Sequence, residues 1–203
     1  LLWGDVNFVG KLPQTFPVSM ADLPTAGSTR QYPGIFADGS TTRPPGSTET
    51  RQVYYDEGIL VGYKWYDAKG IQPLFPFGYG LSYTTFSYSG LRITPEVMKA
   101  DKRVVVNCTV KNTGSVTGDE VVQLYIRDVE ASVARPVMEL RGFRRITLKP
   151  GEWKDVRFEL GFDELSMLDA HMKRIVEPGD IKIMIGASSA DIRLRGFVKV
   201  TAK

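Results

Sequence analysis

From Phe86 to the end of the chain, the sequence repeatedly alternates apolar and polar residues with a period of two. In "RVVVNCTVKN" the apolar positions include Val106, Cys108 and Val110, and polar residues stand between them. Side chains along a β-strand point alternately to its two faces, so this pattern puts the apolar set on one face. The stretch therefore predicts a half-buried strand.

Six further stretches show a similar alternation of apolar and polar residues. They read "FSYSGLRIT", "DEVVQLYIRD", "MELRGFRRITL", "KDVRFEL", "DIKIMIGAS" and "IRLRGFVKV". Turn sequences rich in Gly, Thr and Pro separate them, as expected for strands joined by short connections. About seven such strands predict a mainly β fold, an antiparallel immunoglobulin-like β-sandwich. Helical signal in this part is confined to "FDELSML".

The alternation also assigns the two faces of each strand. In "DEVVQLYIRD" we expect Leu124 and Ile126 to face the core and Tyr125 to face solvent. Most large apolar residues after residue 85 fall at inward positions, with Tyr125 and Trp153 as the exceptions. A free-standing sandwich that binds carbohydrate or protein would need exposed aromatic residues in a row on one face. These two aromatic residues leave that alternative open.

The first part of the chain differs in composition and lacks this alternation. Residues 1 to about 50 contain many Pro, Gly, Ser and Thr residues and show no sustained period. Large apolar residues are nevertheless interspersed there, and disordered linkers are poor in such residues. We therefore expect a loop system laid over a partner domain. Residues 53–67 are dense in aromatic residues, and so short a run is compatible with either a helix or an extended segment.

An uncharged stretch at residues 75–86, "FPFGYGLSYTTF", joins the two parts. It supplies five aromatic side chains, Phe75, Phe77, Tyr79, Tyr83 and Phe86. Its Pro and Gly residues let the backbone turn tightly. We expect the aromatic side chains to occupy buried positions on either side of the turn. The stretch is thus predicted to pack two domains together and not to form an exposed platform for sugar stacking.

Composition narrows the possible chemistry. The net charge of +3 arises from 26 basic and 23 acidic residues spread along the chain, which argues against nucleic-acid or membrane-surface binding. No apolar run approaches the roughly 18 residues that span a bilayer. One cysteine, Cys108, and one histidine, His171, give no disulfide framework, zinc spacing or Ser-His-Asp triad. Phosphate-binding and dinucleotide motifs are also absent, so we predict no metal and no cofactor.

The pair Asp56 and Glu57 superficially resembles part of a sugar site, because Tyr and Trp residues flank it. Glycoside cleavage needs two carboxyl groups on either side of one bond. Adjacent residues of an extended chain point to opposite faces, so these two cannot serve as that pair. Either carboxylate remains a candidate contact to a ligand or a neighbouring domain, the alternative being a solvated or salt-bridged side chain.

Four long blocks, in order, closely resemble one known family. They read "GDVNFVGKLPQTFP", "YYDEGILVGYKWYDAKGIQPLFPFGYGLSYTTFSYSGL", "VKNTGSVTGDEVVQLYIRDVEASVARPVMELRGFRRITLKPGEWKDVRFEL" and "VEPGDIKIMIGASSADIRLRG". Together they cover essentially the whole chain. The sequence resembles the C-terminal portion of family 3 glycoside hydrolases of the bacterial β-glucosidase type.

The resemblance implies a domain organisation. Members of the family have an N-terminal (β/α) barrel, an α/β sandwich domain and often a fibronectin type III-like domain. Residues 1–84 then correspond to the end of the α/β sandwich domain and its exit segment, and residues 85–203 to the fibronectin type III-like domain. The partners implied are the remaining domains of the same enzyme and a β-linked oligosaccharide or glucoside.

The resemblance also implies an activity, the retaining hydrolysis of terminal non-reducing β-linked sugars by an Asp nucleophile and a Glu acid/base. No stretch here matches either catalytic motif, so no catalytic residue is assigned and the isolated chain is expected to be inactive. The chain opens on "LLWGD" without Met, and we expect it to be a piece of a longer protein. Loops of the family's sandwich domain reach the barrel mouth, which makes four residues candidates for bordering the outer sugar subsites: Tyr54, Tyr55, Glu57 and Trp65.

Overall fold

A computed structural model describes residues 1–202 of the chain. These residues form ten strands, two short α-helices and one 3-10 turn, Met20–Asp22. The strands are β1 Phe86–Thr94, β2 Val97–Lys99, β3 Val104–Asn112, β4 Gly118–Asp128, β5 Glu139–Leu148, β6 Trp153–Leu160, β7 Met167–Leu168, β8 Arg174–Ile175, β9 Gly179–Gly186 and β10 Ile192–Thr201. The helices are α1 Tyr63–Lys69 and α2 Phe162–Leu165.

Two sheets face each other to form the sandwich. One has three strands in the order β1-β3-β6, and the other has five in the order β2-β10-β9-β4-β5. Strand β2 runs parallel to β10, whereas the other pairs within these two sheets are antiparallel. Strands β7 and β8 form a separate hairpin. The predicted mainly β, antiparallel sandwich is therefore confirmed.

The core lies between the sheets and follows the alternation read from the sequence. On β3, Val106, Cys108 and Val110 are at most 1% exposed, while the residues between them are half-buried. They meet inward-facing residues of the five-stranded sheet, including Leu124 and Ile183. Burial of this apolar surface, at about 25 cal/mol per Å², is the main stabilising contribution to the sandwich.

All seven predicted strands are present, each within one or two residues of its expected bounds. The prediction missed β2, β7 and β8, which are only two or three residues long and carry no readable period. The expected helix in "FDELSML" is the four-residue α2, after which the chain continues into β7. The sandwich was expected to extend to Lys203, which lies outside the described residues.

Residues 1–85, hereafter the N-terminal segment, are largely irregular. Helix α1 begins inside the aromatic-rich stretch 53–67 and ends at Gly70, which adopts a left-handed conformation with φ of 64°. Isolated bridges pair Phe16 with Phe75 and Ile35 with Gln52. Within residues 1–202, no helix is long and apolar enough to cross a membrane.

One face assignment was wrong. Tyr125 was expected at the surface but is 0% exposed, and the neighbouring Gln123 is 3% exposed. Both lie on the face of β4 that points away from the core, where the N-terminal segment packs through Tyr63 and Phe77. The five-stranded sheet is therefore covered on both faces at this point, so strict alternation no longer reports exposure.

Candidate functional site

The N-terminal segment is joined to the sandwich by a buried contact region that we call the junction. Its residues are Lys11, Tyr63, Phe77, Gly78, Glu120, Gln123 and Tyr125. Gln123 is its polar centre: its Nε2 donates hydrogen bonds to the carbonyl oxygens of Gly78, at 3.2 Å, and Ala187, at 2.6 Å. Its Oε1 accepts a hydrogen bond from the hydroxyl of Tyr125 at 2.5 Å. Such a satisfied buried amide fixes one relative placement of the strands and the loop.

Aromatic packing surrounds this amide. Tyr63, the first residue of α1, stacks on Phe77 with ring centroids 4.8 Å apart and an interplanar angle of 26°. It meets Tyr125 edge to face at 6.1 Å. The Tyr63 hydroxyl accepts a hydrogen bond from the backbone N–H of Leu140 at 2.9 Å. Burial raises the pKa of both tyrosines, so they are neutral at physiological pH and act as packing and hydrogen-bonding groups.

Gly78 permits the close approach of the loop to β4. Its φ is +79°, and a Cβ placed there would lie 2.3 Å from Gln123 Oε1. Glycine is the residue that adopts this φ without steric cost and leaves room for the amide. The loop backbone is held on both sides: the Gly78 N–H donates to Leu12 O at 2.8 Å, and the Ser189 N–H donates to Phe77 O at 2.9 Å.

An ion pair fastens the beginning of the N-terminal segment. Lys11 Nζ lies 3.0 Å from Glu120 Oε1, and the two side chains are 20% and 6% exposed. Where the N-terminal segment leads into β1, the Thr84 hydroxyl donates to Asn112 Oδ1 at 2.6 Å. The Asn112 amide in turn donates to the carbonyl of Leu148 at 3.0 Å. These contacts tie the end of the segment to β3 and β5.

The five aromatic residues predicted for domain packing differ in exposure. Phe86 is buried at 7% exposed and belongs to the sandwich core, while Phe77 and Tyr79 are half-buried. Phe75 and Tyr83 are 38% and 46% exposed, so residues 1–202 alone do not bury these two.

The exposed pair packs only along one side within residues 1–202. Phe75 lies edge to face with Phe16, at 6.3 Å, and 5.2 Å from the ring of Tyr79. Tyr83 packs on Phe8 at 5.0 Å and donates a hydrogen bond to the Leu1 carbonyl at 2.6 Å. The rest of each side chain is open to solvent in residues 1–202.

Four of these rings, those of Phe8, Phe16, Phe75 and Tyr79, border an apolar groove of about 520 Å³. It is lined by Phe8, Gly10, Lys11, Leu12, Phe16, Phe75, Tyr79, Gly80 and Leu81. The lining is almost wholly apolar. In the same N-terminal segment, Leu2 is 86% exposed and Trp3 is 91% exposed. An exposed apolar groove of this kind is typical of a contact with another folded unit.

Three of the four residues predicted to border sugar subsites contact other residues of the N-terminal segment. Glu57 accepts a hydrogen bond from Gln31 Nε2 at 2.7 Å, and Trp65 Nε1 donates to the Asp22 carbonyl at 3.0 Å. Tyr54 lies under the Arg30 guanidinium, whose carbon is 3.9 Å from the ring centroid.

Tyr55 is 78% exposed and is the member of the set most open to an external partner. Asp56, adjacent to Glu57, forms a separate ion pair with Arg30 at 3.4 Å. The two neighbouring carboxylates thus have different partners and do not face one another across a cleft.

Residues 1–202 contain no group of three or more His, Cys, Asp or Glu side chains that could hold a metal ion. Cys108 is buried in the core, where burial raises the pKa of its thiol to about 11. His171 is exposed in the turn between β7 and β8. Neither residue has the surroundings of a reactive group.

The sandwich, together with the loop segment fastened across one face, defines a fibronectin type III-like module with an N-terminal extension. A family profile for the fibronectin type III-like domain matches residues 120–189. The β-glucosidase BoGH3A of Bacteroides ovatus is 45% identical over 194 residues, which is 95% of this chain and 24% of that protein. A β-xylosidase of Formosa agariphila is 43% identical over 189 residues, 93% of this chain and 23% of that protein.

Solved structures agree with the sequence comparison. β-Glucosidase 3B from Thermotoga neapolitana, in complex with α-D-glucose, superposes with a TM-score of 0.82 at 35% identity, covering 98% of this chain and 25% of that one. The chain spans about a quarter of the length of the relatives that it matches. It belongs to glycoside hydrolase family 3 and corresponds to the C-terminal portion of these enzymes.

Proposed function

We propose that this chain is the C-terminal, non-catalytic part of a retaining, exo-acting β-glucosidase-type enzyme that hydrolyses terminal non-reducing β-D-glycosyl residues. The catalytic Asp and Glu lie outside the chain. The Asp belongs to the (β/α) barrel, and the Glu belongs to the missing part of the α/β sandwich domain. The observation that carries the proposal is the extent of the similarity, which covers 95% of this chain and only 24% of a β-glucosidase.

The role proposed for the chain is to brace the rest of the enzyme. The junction fixes the N-terminal segment to the rigid sandwich through Gln123, the Tyr63–Phe77 stack and the Lys11–Glu120 ion pair. The outer side of that segment carries the apolar groove. A surface that is rigidly held from behind and apolar in front is suited to receive a neighbouring domain.

We assign residues 1–84 to the end of the α/β sandwich domain and its exit segment, and residues 85–203 to the fibronectin type III-like domain. The change from irregular chain to β1 at Phe86 supports this boundary. In this assignment Phe75 and Tyr83, half open in the present chain, are covered by the remaining domains.

Among the residues proposed to border the outer sugar subsites, Tyr55 is the main candidate for contact with substrate. Its ring is exposed, whereas Glu57 and Trp65 are engaged in hydrogen bonds within the chain. Those two would act by holding the loop that presents Tyr54 and Tyr55. An exposed aromatic ring on an anchored loop can stack on a sugar with little loss of conformational entropy.

Assays of two polypeptides on aryl β-glucosides and β-xylosides test the proposal. The isolated 203-residue chain should show no turnover above a blank, and the longer polypeptide should hydrolyse at least one of the two glycosides. Deleting the chain from the longer polypeptide should abolish soluble, active enzyme. Turnover by the isolated chain would contradict the proposal.

The runner-up is a free-standing carbohydrate- or protein-binding module, favoured by Trp153, which is 60% exposed on β6. Tyr125, the other aromatic residue that supported it, is buried in the junction. Retention on insoluble glucans that Trp153→Ala abolishes would support this alternative, and lack of retention would reject it.

A further inference from the structure

Part of the outer face of the five-stranded sheet is not covered by the N-terminal segment. The segment covers this face at Tyr125 and Met184, which are register partners on β4 and β9 and are buried. Two residues further along these strands, the outward side chains are those of Arg127 and Lys182, and β10 adds Phe197 beside Lys182. Phe197 is 55% exposed, so the cover ends between these two rows.

The uncovered row gathers cations from neighbouring strands. Arg127 and Lys182 are directly opposite each other in the antiparallel ladder of β4 and β9. Such partners have Cβ atoms about 4.5–5.5 Å apart, and like charges in these positions destabilise a sheet. Lys182 is also opposite Phe197, and Arg195 and Lys199 flank Phe197 on the outward side of β10. Four cations and one exposed aromatic ring thus share one surface.

A groove of about 650 Å³ opens beside this row, between β1, β2 and β10. Arg195, Phe197 and Lys199 line it, and β1 contributes a fifth cation, Arg92. We call the groove and the neighbouring row together the basic face. Its defining residues are Arg92, Arg127, Lys182, Arg195, Phe197 and Lys199.

The positive charge of the basic face is not compensated within residues 1–202. None of its five cations forms an ion pair there. The carboxylates in the groove lining are Glu96 and Asp180, so five cations and two carboxylates leave a net charge of +3. This equals the formal net charge of the whole chain. The basic residues are spread along the sequence, and the strand register collects these five on one surface.

An anionic ligand is the complement of such a surface, because it replaces repulsion between the cations by attraction. The guanidinium groups of Arg92, Arg127 and Arg195 suit carboxylates, which they can bind through two parallel hydrogen bonds. The exposed ring of Phe197 offers a flat apolar surface on which a sugar ring can stack. Carboxylate-binding groups beside a stacking ring match a sugar that carries a carboxylate.

Two other anionic partners fit the basic face less well. The core of a protein interface is depleted of charged residues, whereas the large exposed apolar side chains lining this groove are only Phe197 and Val97. Single-stranded nucleic acid stacks successive bases on several aromatic side chains, and the basic face has one. An acidic polypeptide and a nucleic acid are therefore treated as alternative outcomes of the test.

We propose that the basic face binds an acidic polysaccharide, a chain of sugars that carry carboxylate groups. One sugar ring stacks on Phe197, and the carboxylates pair with the surrounding Arg and Lys side chains. This proposal goes beyond the function proposed above. Binding is measured without hydrolysis, so failure of the glycosidase assays and failure of this proposal are separate results.

The probe is polygalacturonate, added to the isolated 203-residue chain at neutral pH and low salt, with its methyl ester as the uncharged control of the same backbone. Calorimetric titration should show saturable binding of the acid form, weakened by added salt, and no binding of the ester. Polyglutamate and a single-stranded oligonucleotide should bind about tenfold more weakly, because neither carries carboxylates on a stacking sugar ring. No binding of polygalacturonate, or equal binding of all three polyanions, would overturn the proposal.

Variants locate the binding. Phe197→Ala should weaken polygalacturonate binding about three- to tenfold. Lys182→Gln should weaken it about two- to fivefold, with Tm unchanged or raised because the like charge opposite Arg127 is gone. The matched control is Lys111→Gln, at an exposed lysine on the outward side of β3 in the other sheet, and it should leave the affinity unchanged. Unchanged affinity in Phe197→Ala, or equal weakening by the two lysine variants, would refute the site.

The longer polypeptide shows whether the basic face is open in the enzyme. Polygalacturonate should bind it as tightly as it binds the isolated chain, and Phe197→Ala should weaken that binding by the same factor. Binding by the isolated chain alone would mean that the remaining domains cover the face, and this result would contradict the proposal.

Discussion

Lys11 Nζ lies 3.0 Å from Glu120 Oε1, which joins the beginning of the N-terminal segment to the start of strand β4. The Glu120 side chain is 6% exposed, and the Lys11 side chain is 20% exposed. Removing one partner of a buried pair is costly because it leaves the other charge without compensation. This pair is therefore the most sensitive electrostatic link between the segment and the sandwich.

Replacing Lys11 by Met should lower the free energy of unfolding by about 3 kcal/mol, because Glu120 then remains buried without its ion-pair partner. Urea denaturation of the isolated chain measures this change. The double variant Lys11→Met/Glu120→Gln should recover a large part of the loss. The matched control is Arg157→Met, which breaks the exposed pair with Glu159 and should cost less than about 1 kcal/mol. Equal losses in the two single variants would contradict this account.

Phe77→Ala should destabilise the isolated chain by about 2–3 kcal/mol, because it removes the ring that stacks on Tyr63. Hydrogen exchange should accelerate first in residues 63–80, where the segment lifts from β4. Phe75→Ala is the control: this ring is 38% exposed, and its loss should cost less than about 1 kcal/mol in the isolated chain.

The Phe75 control also reports on the missing domains. In the longer polypeptide the groove is covered in our proposal, so Phe75→Ala should cost clearly more there than in the isolated chain. A cost that is small in both would argue that the groove stays open.

Gly78→Ala should be strongly destabilising, by more than about 3 kcal/mol, because the new Cβ would clash with the Gln123 amide in addition to straining the backbone. Gly27 has a similar φ, +75°, and a Cβ there meets nothing within 4 Å. Gly27→Ala should therefore report the backbone cost alone, about 1–2 kcal/mol. Thermal unfolding of the two variants side by side separates the steric clash with Gln123 from the backbone strain. Equal losses of stability in the two variants would show that the Gln123 contact is unimportant.

Stability should fall with rising pH through the titration of Asp67. Its folded-state pKa, about 6, lies above the value of about 3.9 in an unfolded chain, so its contribution is fully present below about pH 4 and is lost as pH rises through 6. Allowing for partial solvent access, we expect the loss to be about 1–2 kcal/mol. The measurement is the difference in unfolding free energy between wild type and Asp67→Asn at pH 4 and pH 7.5. A difference that does not change with pH would contradict this assignment.

The strands were predictable because most of them are covered on one face. Val106, Cys108 and Val110 alternate with half-buried residues as the period of two requires. Tyr125 was misassigned because the alternation rule assumes that the second face is open to water, and here the N-terminal segment covers it.

A signal for this cover does exist in the sequence. Leu124-Tyr125-Ile126 on β4 and Ile183-Met184-Ile185 on β9 are uninterrupted apolar runs, and Tyr125 and Met184 are register partners. Such runs are typical of strands covered on both faces. The partners of Gln123, by contrast, depend on how an irregular segment folds across the sheet, and no local pattern encodes that path.

The central claim, that this chain is one part of a larger glycoside hydrolase, is tested most directly by the intact mass and N-terminal sequence of the native polypeptide. The account predicts a mass several times the 22.6 kDa of the present chain, with a sequence that continues upstream of Leu1. A native polypeptide of 22.6 kDa that begins at Leu1 would contradict it.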